Sequence, residues 1–193
     1  MSFDMSTADE KALLRKSIRA ARREISDDVR RSSAEAVAES LLKLEGIKTA
    51  EVILAYMPMK YELDILPAVE RLKALGKRIA FPLCIEDGGL KLLIPAEENG
   101  FKPGAYGILE PDTDTANEIS ASALDAIILP AVGFDRKLMR LGQGGGYYDR
   151  LLKRTDCFKA AVGFDCQLVD SVPTEENDMP VDAVVTPSLT IAK

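Results

Sequence analysis

Phe134-Asp135-Arg136-Lys137-Leu138-Met139-Arg140-Leu141-Gly142-Gln143-Gly144-Gly145-Gly146-Tyr147-Tyr148-Asp149-Arg150 is the most informative stretch of the chain. It follows Leu124 to Leu129, an apolar run that reads as a buried strand, and a helix is expected to begin near Gly144 to Gly146. A strand, a glycine turn and a helix in succession form the repeating unit of an α/β fold, in which ligands bind beyond the carboxyl ends of the strands. Four of the five residues from Gly142 to Gly146 are glycine, so backbone N–H groups there can converge on an anion without Cβ interference. Arg140 and Arg150 supply charge for phosphate oxygens on either side. The spacing is neither GxGxxG nor GxxxxGK[ST]. Glycine content alone therefore leaves two readings open, an anion site of unspecified purpose and a plain flexible turn.

Working outward, the same alternation continues. Leu14, Ile18, Ala21 and Ile25 recur at helical spacing over Lys11 to Glu24, and the other face carries Lys11, Arg15, Lys16, Arg19, Arg22 and Arg23 with no acid among them. Ser26 reads as the N-cap of a second helix, with Asp27 and Asp28 in its first turn, running to about Glu45 before Gly46 stops it. The two helices make an N-terminal helical hairpin. Glu51 to Tyr56 and Arg78 to Leu83 read as strands around a helix that Asp64 caps and Gly76 ends, one β-α-β unit. Gly88 and Gly89 turn the chain into a strand at Leu90 to Ile94, and the Pro- and Gly-rich stretch through Gly104 to Pro111 reads as irregular. Further strands are expected at Ala160 to Phe164 and Ala183 to Thr186. No repeat or linker divides residues 1–193, which read as a single domain with a largely parallel sheet.

Composition removes several function classes. A formal charge of -6 argues against coating nucleic acid, and the longest apolar run, Ala126 to Phe134, is too short to span a bilayer. Cys84, Cys157 and Cys166 are odd in number, widely spaced and accompanied by no histidine, so they read as reduced, buried or partly buried thiols of a cytoplasmic protein rather than zinc ligands. The missing histidine also excludes Ser-His-Asp and Cys-His mechanisms.

Taken together, Phe134-Asp135, Arg140-Leu141-Gly142 and Gly144 through Arg150 resemble the signature of the 5-formyltetrahydrofolate cyclo-ligase family. Four further elements match that family in order: Lys11 and Arg15 on the first helix, Glu62 in Met57 to Asp64, Gly107-Ile108-Leu109-Glu110-Pro111, and Asp178 near the C-terminus. The family usually has glycine where Leu138 stands, which puts the local loop shape in question.

The resemblance implies a three-layer α/β/α fold like that of sugar-phosphate isomerases and CoA transferases. It also implies ATP-dependent closure of 5-formyltetrahydrofolate to 5,10-methenyltetrahydrofolate, with release of ADP and phosphate. The implied ATP-binding residues are Lys11, Arg15 and Arg140 with Leu141, Gly142, Gln143, Gly144, Gly145, Gly146, Tyr147 and Tyr148. Arg140 and Lys11 would act on the transferring phosphoryl group. Met57, Glu62 and Tyr147, with Gln143 to Gly146, would hold the folate, Glu62 meeting the donor-rich pterin. Asp149 and Asp178 match magnesium positions, and a monomer is expected. A non-catalytic folate- or nucleotide-binding protein on the same framework is the alternative, and a sugar-phosphate isomerase would have no use for the Tyr147-Tyr148-Asp149 element.

Overall fold

Ser6 and Ser26 begin the first two helices by the same device. In the computed structural model, which describes residues 5–85, 88–96, 100–104 and 108–193, each serine side chain accepts a hydrogen bond from the backbone N–H three residues on. Helix α1 (Thr7–Arg23) has Asp9 and Glu10 in its first turn and Arg22 and Arg23 in its last, the arrangement a helix dipole favours. Helix α2 (Asp27–Leu41) ends before Gly46, which instead sits inside a separate short helix α3 (Glu45–Lys48). A Cβ on Gly46 would collide with the Phe158 ring, so this glycine serves close packing and not helix termination. The helical pair expected at the N-terminus is present, but its members part: α2 packs on the sheet's main helical face, whereas α1 packs against Gly133–Asp135 and the turn Asp165–Gln167. Arg30 joins them by donating to the Ile25 carbonyl at 3.1 Å and to the Arg22 carbonyl, with its guanidinium 5.4 Å from the rings of both Tyr61 and Phe164.

Strand β1 (Val52–Leu54) is buried throughout and leads to α4 (Leu66–Ala74). Asp64, expected as the cap, stands one residue before the actual N-cap Ile65, which makes no side-chain cap bond, and accepts from the Leu66 N–H at 2.9 Å; Gly76 leaves the helix with φ 81°. Then come β2 (Arg78–Cys84) and the antiparallel β3 (Leu90–Ile94). The stretch that reads as irregular contains β4 (Phe101–Pro103), β5 (Leu109–Pro111) and β6 (Asn117–Ile119); Gly107 of the expected Gly-Ile-x-Glu-Pro element lies outside the described residues. Each is three residues long, too short to show an alternating pattern. The chain continues through β7 (Ala126–Pro130), β8 (Gly133–Asp135), β9 (Arg140–Leu141), α5 (Tyr147–Leu152), β10 (Phe158–Val162), β11 (Leu168–Val169), β12 (Ala183–Val185) and β13 (Thr190–Ala192).

The main sheet has the order β13-β12-β10-β7-β1-β2-β3-β6. Its centre, β12-β10-β7-β1-β2, is parallel, and the antiparallel strands are confined to its edges. Side chains of successive residues alternate between two cores. Ile53, Ile128 and Val162 face α2 and α4, while Leu54, Ile127 and Ala161 face the thinner second layer of α5 and the turn Ala121–Ala123. From β1 the chain runs to β2 on one side, and β7 lies on the other, so strand order reverses between β1 and β7. Such a reversal opens a crevice at the carboxyl ends of the two strands.

A small sheet, β11-β8-β9, closes the end of the molecule above that crevice. Its turn contains Leu138, at φ 66° the one non-glycine residue with positive φ among those described. Leucine holds the conformation for which glycine is suited because its side chain is 7% exposed and packs beside Leu151 and Val181. The turn is fixed on both sides: Leu138 donates its N–H to the Asp135 carbonyl at 3.1 Å and accepts from Val181 N–H at 2.9 Å. Left-handed backbone costs a Cβ-bearing residue roughly 1–2 kcal/mol. Leu138→Ala should lose about 2–5 kcal/mol of stability by vacating the core. Leu138→Gly should be more stable than Leu138→Ala by about 1 kcal/mol, because only glycine sheds the backbone strain. Urea unfolding of the pair checks this, and the usual order with alanine above glycine contradicts it.

Candidate active site

The crevice at the β1/β7 reversal is a cleft of about 270 Å³. Tyr56 and Met57 enter it just beyond β1, Pro130 at the end of β7 with Ala131 and Val132 just beyond it, and Phe81, Cys84 and Leu90 from β2 and β3. The glycine loop, from Gly142 to Asp149, forms the facing wall. One side is thus apolar and aromatic, the other backbone-rich and charged.

The apolar side is ordered from behind. Tyr56 is 3% exposed and its hydroxyl donates to the Leu63 carbonyl at 2.7 Å, fixing the segment that carries Glu62. Glu62 accepts from the Met59 N–H at 3.2 Å and from Gln143 Nε2 at 3.2 Å, so the carboxylate expected at the folate already touches the glycine loop. Gln167, 1% exposed, donates to the Ala131 and Val132 carbonyls at 2.7 and 3.0 Å and holds the β7 corner in place. Nothing in the sequence pattern singles out Gln167.

The loop itself is pinned from three directions. Gly144 and Gly146 have φ of 107° and 67°, and α5 starts at Gly146 without a capping side chain. Arg15 Nε donates to the Gly142 carbonyl at 2.9 Å, and an Arg19 Nη donates to Gln143 Oε1 at 2.6 Å. Arg150 does not face the cleft as a phosphate ligand. It donates to the Gly88 carbonyl at 3.1 and 2.6 Å and to the Gly145 carbonyl at 2.9 Å, with its guanidinium 5.2 Å from the Tyr147 ring centre. Two members of the basic face of α1, Arg15 and Arg19, accordingly serve as clamps on the loop, while Lys16 and Arg23 are exposed. Lys11 and Arg22 are turned inward at 6% and 5% exposure, whereas Ala21, expected on the apolar face, is exposed.

Two cations are held ready by carboxylates. Lys11 Nζ lies 2.8 Å from Glu175 Oε2 and 2.6 Å from Asp178 Oδ2. Burial lowers the ammonium pKa, but the hydrogen bonds it donates to Asp178 and Glu175 outweigh that and leave it raised. Arg140 Nη2 lies 2.6 Å from Asp149 Oδ1, with the Tyr148 ring 5.9 Å from its guanidinium carbon, and its buried Nε has no hydrogen-bond partner among the described residues. Burial pushes the Tyr148 phenol far above its ordinary pKa, so it stays a proton donor.

Of the expected site residues, Met57, Glu62, Arg140, Gly142 to Tyr148 and Asp149 line the cleft together. Arg15 grips it from outside. Lys11 and Asp178 form a second centre that does not line it, and Leu141 is 1% exposed with its side chain in the core beside Ile18 and Val132. Leu141 can therefore contribute only backbone, and its carbonyl already accepts from Val132 N–H at 2.8 Å. Cys84 and Cys166 are exposed, not buried as expected, and Cys157 is half-buried. Among the described residues no cluster of three metal-ligating side chains exists. Glu175 and Asp135 belong to the site's framework although the sequence reading gave them no role.

The profile of the 5-formyltetrahydrofolate cyclo-ligase family matches residues 7–187. The chain is 34% identical over 176 residues to the 5-formyltetrahydrofolate cyclo-ligase of Escherichia coli K12, covering 89% of this chain and 97% of that protein. It is 29% identical to the Mycolicibacterium smegmatis cyclo-ligase, with 92% and 93% covered. In structure it resembles Aquifex aeolicus 5,10-methenyltetrahydrofolate synthetase, with a TM-score of 0.83, 32% identity and coverage of 94% of this chain and 92% of that one. With a profile match over nearly its whole length, a bacterial relative sharing a third of its aligned residues and a solved structure of the same overall fold, the chain belongs to the 5-formyltetrahydrofolate cyclo-ligase family.

Proposed function

We propose that this protein closes 5-formyltetrahydrofolate to 5,10-methenyltetrahydrofolate at the expense of ATP. The observation that carries the reading is the 3.2 Å contact between Glu62 and Gln143, which sets a pterin-binding carboxylate against a phosphate-type glycine loop in one cleft. The formyl oxygen is a poor leaving group. Transfer of the γ-phosphoryl group to it releases ADP and creates a phosphate ester; N10 attacks the formyl carbon and gives up its proton, and the C–O bond breaks as inorganic phosphate leaves. The protein's work is alignment and charge neutralisation. Arg140, preset by Asp149, and Lys11, preset by Glu175 and Asp178, would turn toward the phosphates, and the Gly142 to Gly146 backbone would line them.

Magnesium belongs to the same reading. Asp149 and Asp178 are oxygen donors that engage their cations through one oxygen each, and a magnesium site commonly takes one or two carboxylates with the rest from phosphate and water. The residues fit such an ion arriving with the nucleotide. When bound it would neutralise phosphate charge. The reading also makes the enzyme a cytoplasmic monomer; three cysteines that all remain free thiols support the compartment.

Purified protein mixed with ATP, magnesium and 5-formyltetrahydrofolate should produce the methenyl chromophore, and silence at high enzyme concentration sinks the proposal. Arg140→Ala should weaken ATP binding by about 1.5–3 kcal/mol, measured by calorimetry. An unchanged affinity would remove Arg140 from the nucleotide site. Glu62→Gln should impair folate binding and spare ATP, so equal losses for both ligands would mean that Glu62 has another role.

A further inference from the structure

Asp135 is 1% exposed, and among the described residues no lysine or arginine lies within ion-pair distance of its carboxylate. Its two oxygens are satisfied by backbone from two different parts of the chain. Oδ1 accepts from the N–H groups of Lys137 and Met139 at 2.9 and 3.0 Å, in the turn that delivers Arg140. Oδ2 accepts from the N–H of Val172 at 2.9 Å, at the start of the segment that brings Glu175 and Asp178 to Lys11. A buried carboxylate without a cation is costly unless its lone pairs are filled, and here three main-chain donors fill them.

We infer that Asp135 is a positioning residue that sets the spacing of the two phosphate-facing cations by holding the Arg140 turn and the Asp178 segment on separate oxygens of one carboxylate. The inference rests on the ATP-dependent reading above. A carboxylate can do this because both of its oxygens accept. Asparagine has the same shape but must present its NH₂ to one set of N–H donors, so one of the two segments is released. Asp135 itself touches no substrate. Its effect passes through Arg140 on one side and through Asp178 to Lys11 on the other.

Asp135→Asn should raise the KM for ATP roughly ten-fold or more, the equivalent of one charged hydrogen bond, and lower kcat, while the KM for 5-formyltetrahydrofolate changes less than about two-fold. Equal rises in both KM values, or no rise in either, would reduce Asp135 to scaffold and overturn the inference. Because the variant can fail to fold, amide exchange in the wild-type protein supplies a second reading. The Lys137, Met139 and Val172 amides should slow by a common factor when ATP is added, and an indifferent Val172 amide overturns the coupling. A wild-type protein that binds no ATP overturns the proposed function and this inference with it; one that binds ATP normally while Asp135→Asn behaves like wild type overturns this inference alone.

Discussion

Strand β1 is hydrogen-bonded in parallel on both sides, to β2 and to β7, and everything at the site depends on that double pairing. Right-handed crossovers send the chain away from β1 and from β7 over opposite faces, leaving their carboxyl ends uncovered between them. The segment after β1 then carries Met57 and Glu62, and the segment after β7 leads through β8 and β9 to the glycine loop. Each segment is anchored just behind the cleft by a buried polar side chain, Tyr56 on the first and Gln167 on the second. The two ligands are assigned to different walls because two different strands supply the walls.

The charged groups follow a second logic. Both cations assigned to phosphate contacts are buried, and an unpaired buried charge is expensive. Each is matched by aspartate, Lys11 by Asp178 and Arg140 by Asp149, so neither buried charge stands uncompensated.

Much of this was legible in the chain. Periodicity, caps and glycine punctuation located the helices, the parallel strands and the loop, since those signals arise from neighbouring residues. Gly46 was misread because its reason is Phe158, a contact made across the fold. Strands of two or three residues in β4 to β6, β8, β9 and β11 carry no period to detect and exist through their partners. The basic face of α1 announced an anion partner, yet Arg15 grips the Gly142 carbonyl and Arg19 grips Gln143. Leu138 looked like a defect in the loop; burial in the second core supplies what glycine would otherwise provide. Asp135 was visible in the motif, but its task required knowing that Val172 returns to it.

Lys11 meets its partners across 164 and 167 residues of sequence. During synthesis from the N-terminus, α1 can form early from its own caps, but Lys11 has nothing to bury against until nearly the whole polypeptide has emerged. The anchoring of the first helix by Lys11 is consequently among the late contacts of the fold, made only after Glu175 and Asp178 are in place.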